Sequence, residues 1–224
     1  MLSSWILPML EWIGTVSFAI SGAMIAIGHG LDLFGVLMVG TITAVGGGII
    51  RDLILGNVPP LIFSNTEVLL VSVLTGLVVF ILARINAKRV NRVLHRVEFM
   101  NRLFDSFGLG AFSVAGVQLA WDGGFGDQFV LCVLMGMLTG VGGGVVRDML
   151  VNVKPYVLTK HVYAVASLAG SILYYGILKF TPYGDLGSFI ALLLVVIIRL
   201  LAAHDRWELP KIPPKEKEAE TSKK

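Results

Sequence analysis

The sequence predicts an all-α membrane protein with seven transmembrane helices, formed by two inverted three-helix repeats and a seventh helix. Three observations support this fold class: a low content of charged residues, seven long apolar stretches and a duplicated glycine-rich motif. Of the 224 residues, 55% are hydrophobic and 15% are charged, whereas a soluble domain of this length carries about 25% charged residues. Much of the surface is therefore expected to face lipid.

The seven apolar stretches are each close to the ~20 residues that an α-helix needs to cross a bilayer core. They cover residues 5–27, 33–55, 68–85, 103–120, 129–151, 162–180 and 186–203. They do not alternate apolar and polar residues as the strands of a membrane barrel do, and the first is too long for a cleaved signal peptide. We expect a single transmembrane domain over residues 1–203 and a solvated, charged tail over residues 204–224, because the tail is rich in Lys, Glu and Pro.

The basic residues predict on which side of the membrane each loop lies, because Lys and Arg concentrate in cytoplasmic loops. Most of them fall between helices 3 and 4, between helices 5 and 6 and in the tail, whereas the opposite side offers little beyond Lys179. We expect the N-terminus outside and the C-terminus in the cytoplasm, in the cell (inner or plasma) membrane, with membrane lipids as partners. The formal net charge of +3 fits this topology and does not indicate nucleic-acid binding.

A duplicated motif predicts the repeat. Residues 46–52 read Gly-Gly-Gly-Ile-Ile-Arg-Asp and recur 96 positions later as Gly-Gly-Gly-Val-Val-Arg-Asp at 142–148, while residues 14–22 match 108–116 at a shift of 94. The first repeat covers about residues 5–85, the second about 103–180 and helix 7 about 186–203. Because each repeat has an odd number of helices, the second enters the membrane from the opposite side, as in many transporters and some channels.

The triple glycines lie inside helices 2 and 5, where each glycine costs about 1 kcal/mol relative to alanine. We expect both helices to be kinked or broken there, with freed carbonyls that could replace part of a cation's hydration shell. A threonine three positions before each triplet adds a hydroxyl on the same face. The alternative is close helix packing through small residues. The residues concerned are Gly46, Gly47, Gly48, Gly142, Gly143, Gly144, Thr43 and Thr139.

An Arg-Asp doublet follows each triplet, Arg51 and Asp52 in helix 2 and Arg147 and Asp148 in helix 5. An ionised residue at mid-membrane costs roughly 2.5–3.5 kcal/mol, so these side chains must pair or face a polar interior. Because neighbouring residues point about 100° apart on a helix, we expect the pairs to form between the repeats. These pairs would join Arg51 to Asp148 and Arg147 to Asp52, and would either clamp the repeats together or line a pore and set its gating.

Other polar residues give weaker signals. Ser17 and Ser21 on helix 1 and Gln118 on helix 4 are possible pore-lining residues, although each alone is better explained by a bond to a backbone carbonyl. Glu11 and Asp105, near the starts of helices, are expected at the membrane interface. The histidines and the single cysteine lack metal-ligand spacing, and the glycines fit no nucleotide-binding motif. We therefore expect no metal site, no cofactor and no enzymatic activity.

The duplicated motif and the frame of three, three and one helices resemble prokaryotic members of the trimeric intracellular cation channel family, over about residues 10–203. The resemblance implies a homotrimer with a pore in each protomer, lined by helices 2 and 5 and permeable to monovalent cations such as K⁺ or Na⁺. The lipid-binding Lys-Glu-Val motif of the animal members is absent. The same domain has also been labelled a glycine transporter, which makes a secondary transporter of a small solute the alternative. Selectivity stays open, because carbonyls and Asp favour cations whereas Arg and helix N-termini favour anions.

Overall fold

The computed structural model describes residues 5–85, 94–159, 162–205 and 207, and within these ranges it leaves the side chains of residues 94–97 and 159 undescribed. The described residues form seven helices that are long and apolar enough to cross a membrane, and they contain no strand. The helices are α1 (Ile6–Gly28), α2 (Leu33–Ile54), α3 (Thr66–Ile85), α4 (Leu94–Ala120), α5 (Phe129–Leu150), α6 (Val162–Phe180) and α7 (Gly184–His204).

The predicted fold class is confirmed, with one difference in length. Helix α4 begins at Leu94 rather than near residue 103 and continues at its other end into a π-helical turn, Trp121–Phe125. Short helical turns follow α2 and α5 at matching places, Leu61–Phe63 and Tyr156–Thr159. Most of the predicted tail, and most of the basic loop between α3 and α4, lie outside the described residues.

The two repeats meet through contacts that occur in matched pairs. A methyl group on Gly14 of α1 would lie 2.7 Å from the ring of Phe112, and one on Gly108 of α4 would overlap the ring of Phe18. Gly108 and Phe112 are the counterparts of Gly14 and Phe18 at the shift of 94, and the two rings themselves lie 5.3 Å apart between centroids. Such reciprocal contacts are what a two-fold axis produces. Helix α7 has no counterpart and packs on α4 and α6.

Helices α2 and α5 cross at the triple glycines. A methyl group on Gly142 would lie 3.1 Å from the Cα atom of Gly47. Methyl groups on Gly47 and Gly143 would overlap the carbonyl oxygens of Thr139 and Thr43, respectively. Small residues therefore allow the two backbones to touch, which is the packing alternative raised by the sequence.

The break expected at the triplets is absent, because α2 and α5 are α-helical through all six glycines. None of the six has a positive φ. The hydroxyls of Thr43 and Thr139 donate to the carbonyls of Val39 and Met135, each at 2.6 Å, within their own helices. The close contact between the helices compensates for the poor helix propensity of glycine, so the backbone hydrogen bonds need not open. A bend of either axis with the helix intact stays a prediction.

Candidate functional site

Each Arg-Asp doublet forms an ion pair with itself. Arg51 donates from Nε and Nη2 to Oδ1 of Asp52 at 2.9 and 2.7 Å, and Arg147 donates from Nε to Oδ1 of Asp148 at 2.8 Å. The predicted pairs between the repeats, Arg51 with Asp148 and Arg147 with Asp52, are therefore wrong. The angle of about 100° between neighbouring residues describes the directions of their Cβ atoms. The arginine side chain is long enough to curve back and reach the aspartate next to it.

The second carboxylate oxygen of each doublet binds the loop that follows its helix. Oδ2 of Asp52 accepts from the backbone N–H of Leu61 at 2.9 Å, and Oδ2 of Asp148 accepts from that of Tyr156 at 2.8 Å. Each aspartate thus holds an arginine on one side and a helical turn on the other. The two doublets have the same local architecture, as the repeat requires.

Arg147 makes further contacts that Arg51 does not make with any described residue. Its Nη1 donates to Oδ1 of Asp105 at 2.6 Å and to Oγ of Ser21 at 2.8 Å. Ser21 donates in turn to Oδ1 of Asn101 at 2.9 Å, and Arg199 Nη2 lies 3.5 Å from Oδ2 of Asp105. We name the whole set the second-repeat cluster, although Ser21 comes from α1 and Arg199 from α7. Its members are Ser21, Asn101, Asp105, Arg147, Asp148 and Arg199.

The centre of the second-repeat cluster, around Arg147, is sealed from solvent. Arg147 and Asp105 have no exposed surface, and Asp148 is 1% exposed. Aromatic rings cover the two arginines: the Arg147 guanidinium lies 5.3 Å from the Tyr156 ring centroid, and that of Arg199 lies 4.5 Å from the Tyr163 centroid. Two arginines and two aspartates cancel in charge, which is the condition under which charges are tolerated in a dry interior.

Hydrogen bonding within the cluster is incomplete. Four of its buried or adjoining polar atoms lack a hydrogen-bond partner among the described residues: Asp105 Oδ2, Arg147 Nη2, Tyr163 Oη and Arg199 Nε. Buried polar atoms gain free energy when they acquire such partners. Entry of water into the cluster would therefore be favourable for these four atoms, and it would weaken the ion pairs that hold the cluster shut.

The first-repeat doublet adjoins a cavity of about 70 Å³. Arg51 and Asp52 line the cavity together with Glu11 and Thr15 of α1 and Asn65 of the loop before α3. In the second repeat the buried Tyr163 lies 96 positions after the exposed Glu67, and its ring covers the Arg199 guanidinium. The two repeats are thus alike in backbone but unlike in their polar interiors.

The residues predicted to line a pore separate into different environments. Thr43 and Thr139 are fully buried at the helix crossing, and Ser17 is 7% exposed. Gln118 lies at the far end of α4, where it donates to Asp122 at 2.9 Å and accepts from Tyr174 at 2.6 Å. The structure therefore brings Ser21 to the Arg147 doublet and keeps Gln118 away from it.

Sequence reasoning missed three charged members of these sites. Asp105 was expected at the membrane interface but is completely buried, because Arg147 and Arg199 neutralise it. Arg199 lies within the last apolar stretch and was not considered. Glu11, expected at the interface, lines the first-repeat cavity. The signal that could have found all three is the presence of an ionisable residue inside an apolar stretch, which marks a functional site by default.

The chain matches a known protein family along most of its length. A family model described as "Glycine transporter" matches residues 8–84 and 102–179, once in each repeat. The UPF0126 inner membrane protein YadS of Escherichia coli (strain K12) is 35% identical over 208 residues, which cover 91% of this chain and 93% of that protein.

Two solved structures are similar to this one in both fold and sequence. The crystal structure of a prokaryotic TRIC channel in 0.5 M KCl has a TM-score of 0.81 and 34% identity, over 92% of this chain and 100% of that chain. A second structure, described as the structural basis for conductance through TRIC cation channels, has a TM-score of 0.79 and 36% identity, over 93% of this chain and 98% of that chain.

Proposed function

Because the chain belongs to the family of prokaryotic TRIC channels, we propose that it is a monovalent cation channel, permeable to K⁺, with a pore inside each protomer of a homotrimer. The observation that carries the proposal is the pair of Arg-Asp doublets, which lie on opposite sides of the glycine crossing inside a membrane domain. Buried ionisable residues in membrane domains mark ion pathways.

The proposed route runs through three regions in order. A cation enters the first-repeat cavity beside Arg51 and Asp52, passes the crossing of α2 and α5, and leaves through the second-repeat cluster around Arg147 and Asp148. At the crossing the two backbones touch through the glycines, so passage there requires the helices to separate. The described conformation is closed at the cluster, where the charged side chains are sealed. Opening requires Arg147 to release Asp105, and we assign gating to this step.

The Lys and Arg distribution supports an orientation for the proposed route. With the N-terminus outside and the C-terminus in the cytoplasm of the cell membrane, α2 ends on the outer side and α5 on the inner side. The first-repeat cavity then opens outward, and the second-repeat cluster forms the cytoplasmic gate. Lys154, which follows α5, falls on the cytoplasmic side as the positive-inside rule requires.

A bilayer recording tests the channel function directly. Purified protein in a planar bilayer with asymmetric KCl should show discrete conductance steps and a reversal potential close to that of K⁺. Addition of a salt whose cation is impermeant should not shift the reversal potential, because K⁺ alone sets it. Cross-linking in the membrane should stop at the size of three chains. A Cl⁻ reversal potential would refute the cation selectivity, and a dimeric product would refute the trimer.

The second candidate is a secondary transporter of a small solute such as glycine. The description of the family model that matches both repeats favours it, and inverted repeats are common among transporters. A carrier alternates access around a bound solute, so its flux saturates and labelled glycine exchanges across the membrane. Saturable glycine counterflow in proteoliposomes, without conductance steps in the bilayer, would replace the channel by this transporter. A non-conducting scaffold would give neither signal.

A further inference from the structure

Glu11 is a carboxylate inside the membrane domain that forms no direct ion pair with any residue that the structure describes. It lies in the second turn of α1, is partly buried and lines the first-repeat cavity. Among the described residues no hydrogen bond or ion pair joins its side chain to another group, and the nearby Arg51 directs both Nε and Nη2 to Asp52. An unpaired carboxylate in a membrane domain is costly, and it is retained where it binds something.

The second repeat shows what neutralises the same position. The counterpart of Glu11 at the shift of 94 is Asp105, which receives Nη1 of Arg147 at 2.6 Å and has Arg199 at 3.5 Å. The described first repeat shows neither contact. Arg51 lines the same cavity as Glu11, but its Nε and Nη2 bind Asp52, and α7, which carries Arg199, packs on α4 and α6 of the second repeat. Among the described residues Glu11 therefore lacks the direct ion pair that neutralises Asp105.

The charge balance therefore differs between the two sites. The second-repeat cluster has two arginines and two aspartates and is neutral, whereas Glu11, Arg51 and Asp52 leave the first-repeat cavity with a net charge of −1. Thr15 and Asn65 also line the cavity, and oxygen ligands such as a hydroxyl or an amide carbonyl suit hard cations.

We propose that Glu11 and the oxygen atoms around it form a binding site for one monovalent alkali cation at the mouth of the first-repeat cavity. The proposal rests on the channel function and names its first cation site. A single unpaired carboxylate favours a weakly held monovalent ion over a tightly held divalent one, because described residues group no three acidic, His or Cys side chains that could hold a metal. Weak binding is what conduction requires, since an ion that enters must also leave.

Infrared difference spectroscopy of the purified protein in lipid tests the site without relying on conduction. The buffer is exchanged between KCl and N-methylglucamine chloride at constant ionic strength, and the carboxylate bands are recorded. We expect a K⁺-dependent band shift in the wild type, its loss in Glu11→Gln and its retention in Glu67→Gln. Glu67 is the matched control, because it lies on the same side of the membrane, is exposed and does not line the cavity.

A second variant and a second readout make each outcome decisive. Glu11→Asp keeps the carboxylate and should keep a K⁺-dependent shift, which guards against a folding defect in Glu11→Gln. No K⁺-dependent shift in the wild type, or an unchanged shift in Glu11→Gln, would overturn the site. Bilayer recordings of the same preparations separate the two proposals. A Glu11-dependent band shift in a protein that does not conduct would refute the channel function and support the cation site. K⁺ currents without such a band shift would refute the cation site and support the channel function.

Discussion

Replacement of Arg147 by glutamine removes the guanidinium from a site where two carboxylates depend on it. Asp105 and Asp148 are 0% and 1% exposed, so neither gains water when the charge is lost. Asp105 retains Arg199 and the Ser21 hydroxyl, each at 3.5 Å, whereas Asp148 retains the Tyr156 backbone N–H at 2.8 Å. Breaking a buried ion pair in this way costs about 3–5 kcal/mol, and we expect a loss of stability in that range.

Arg51→Gln is the matched control. It removes the same group from the same motif, but it strands only Asp52, which keeps the Leu61 backbone N–H at 2.9 Å and adjoins the first-repeat cavity. Water in the cavity can solvate the carboxylate that is left. We expect a loss of about 1–3 kcal/mol, the usual cost of one unsatisfied buried partner.

Reversible unfolding by SDS in mixed micelles measures both losses. Combining Arg147→Gln with Asp105→Asn should recover part of the loss, because the net charge of the buried cluster returns from −1 to zero. A double-mutant cycle isolates this coupling. Equal losses for the Arg147 and Arg51 variants, or a cycle without coupling between Arg147 and Asp105, would contradict the assignment of a dry cluster on one side and a wet cavity on the other.

Three further predictions concern the crossing, α7 and the topology. Gly143→Ala should destabilise the fold by about 1–3 kcal/mol in the same unfolding assay, because its methyl group would overlap the Thr43 carbonyl. Gly176 is a helical glycine with open space around it, so Gly176→Ala should be neutral or stabilising. Equal losses of stability for the two variants would contradict the close crossing. Arg199→Gln should raise the open probability in bilayer recordings, because it removes one of the two arginines that hold Asp105 in the closed cluster. An unchanged open probability would exclude α7 from gating. In a Cys132→Ala background, Gly123→Cys should react with an impermeant thiol reagent outside intact cells while a cysteine within residues 86–93 should not; the opposite pattern would reverse the orientation.

The fold was predictable because it depends on features that repeat along the chain. The length of the apolar stretches predicts the seven transmembrane helices. The recurrence of Gly-Gly-Gly-x-x-Arg-Asp predicts the two repeats and their inverted relation. The close crossing of α2 and α5 was one of two alternatives for the glycines. The sequence could not decide between them, because the answer depends on whether another backbone lies within van der Waals distance, which is a tertiary property.

The partners of the charged residues were not predictable for a similar reason. Arg147 is the centre of a cluster whose members come from four helices, and its partner Ser21 lies 126 positions away in the chain. The expectation of pairs between the repeats followed from symmetry applied to the doublets alone. It ignored Asp105 and Arg199, each of which reads as an isolated charge until α4 and α7 are placed beside α5.

Helix α7 explains why two related repeats differ so strongly in their polar interiors. Duplication gives each repeat an acidic residue on its first helix and an arginine on its second, Glu11 with Arg51 and Asp105 with Arg147. An exact two-fold axis would give both pairs the same environment. Because α7 packs on α4 and α6 of the second repeat, Arg199 adds a positive charge beside Asp105, and the second acidic residue becomes buried and paired. The first keeps its cavity and its unpaired charge. The two related repeats therefore differ: the first has a cavity, and the second has a closed cluster of ion pairs. This difference supports the proposal that a cation enters at the first-repeat cavity.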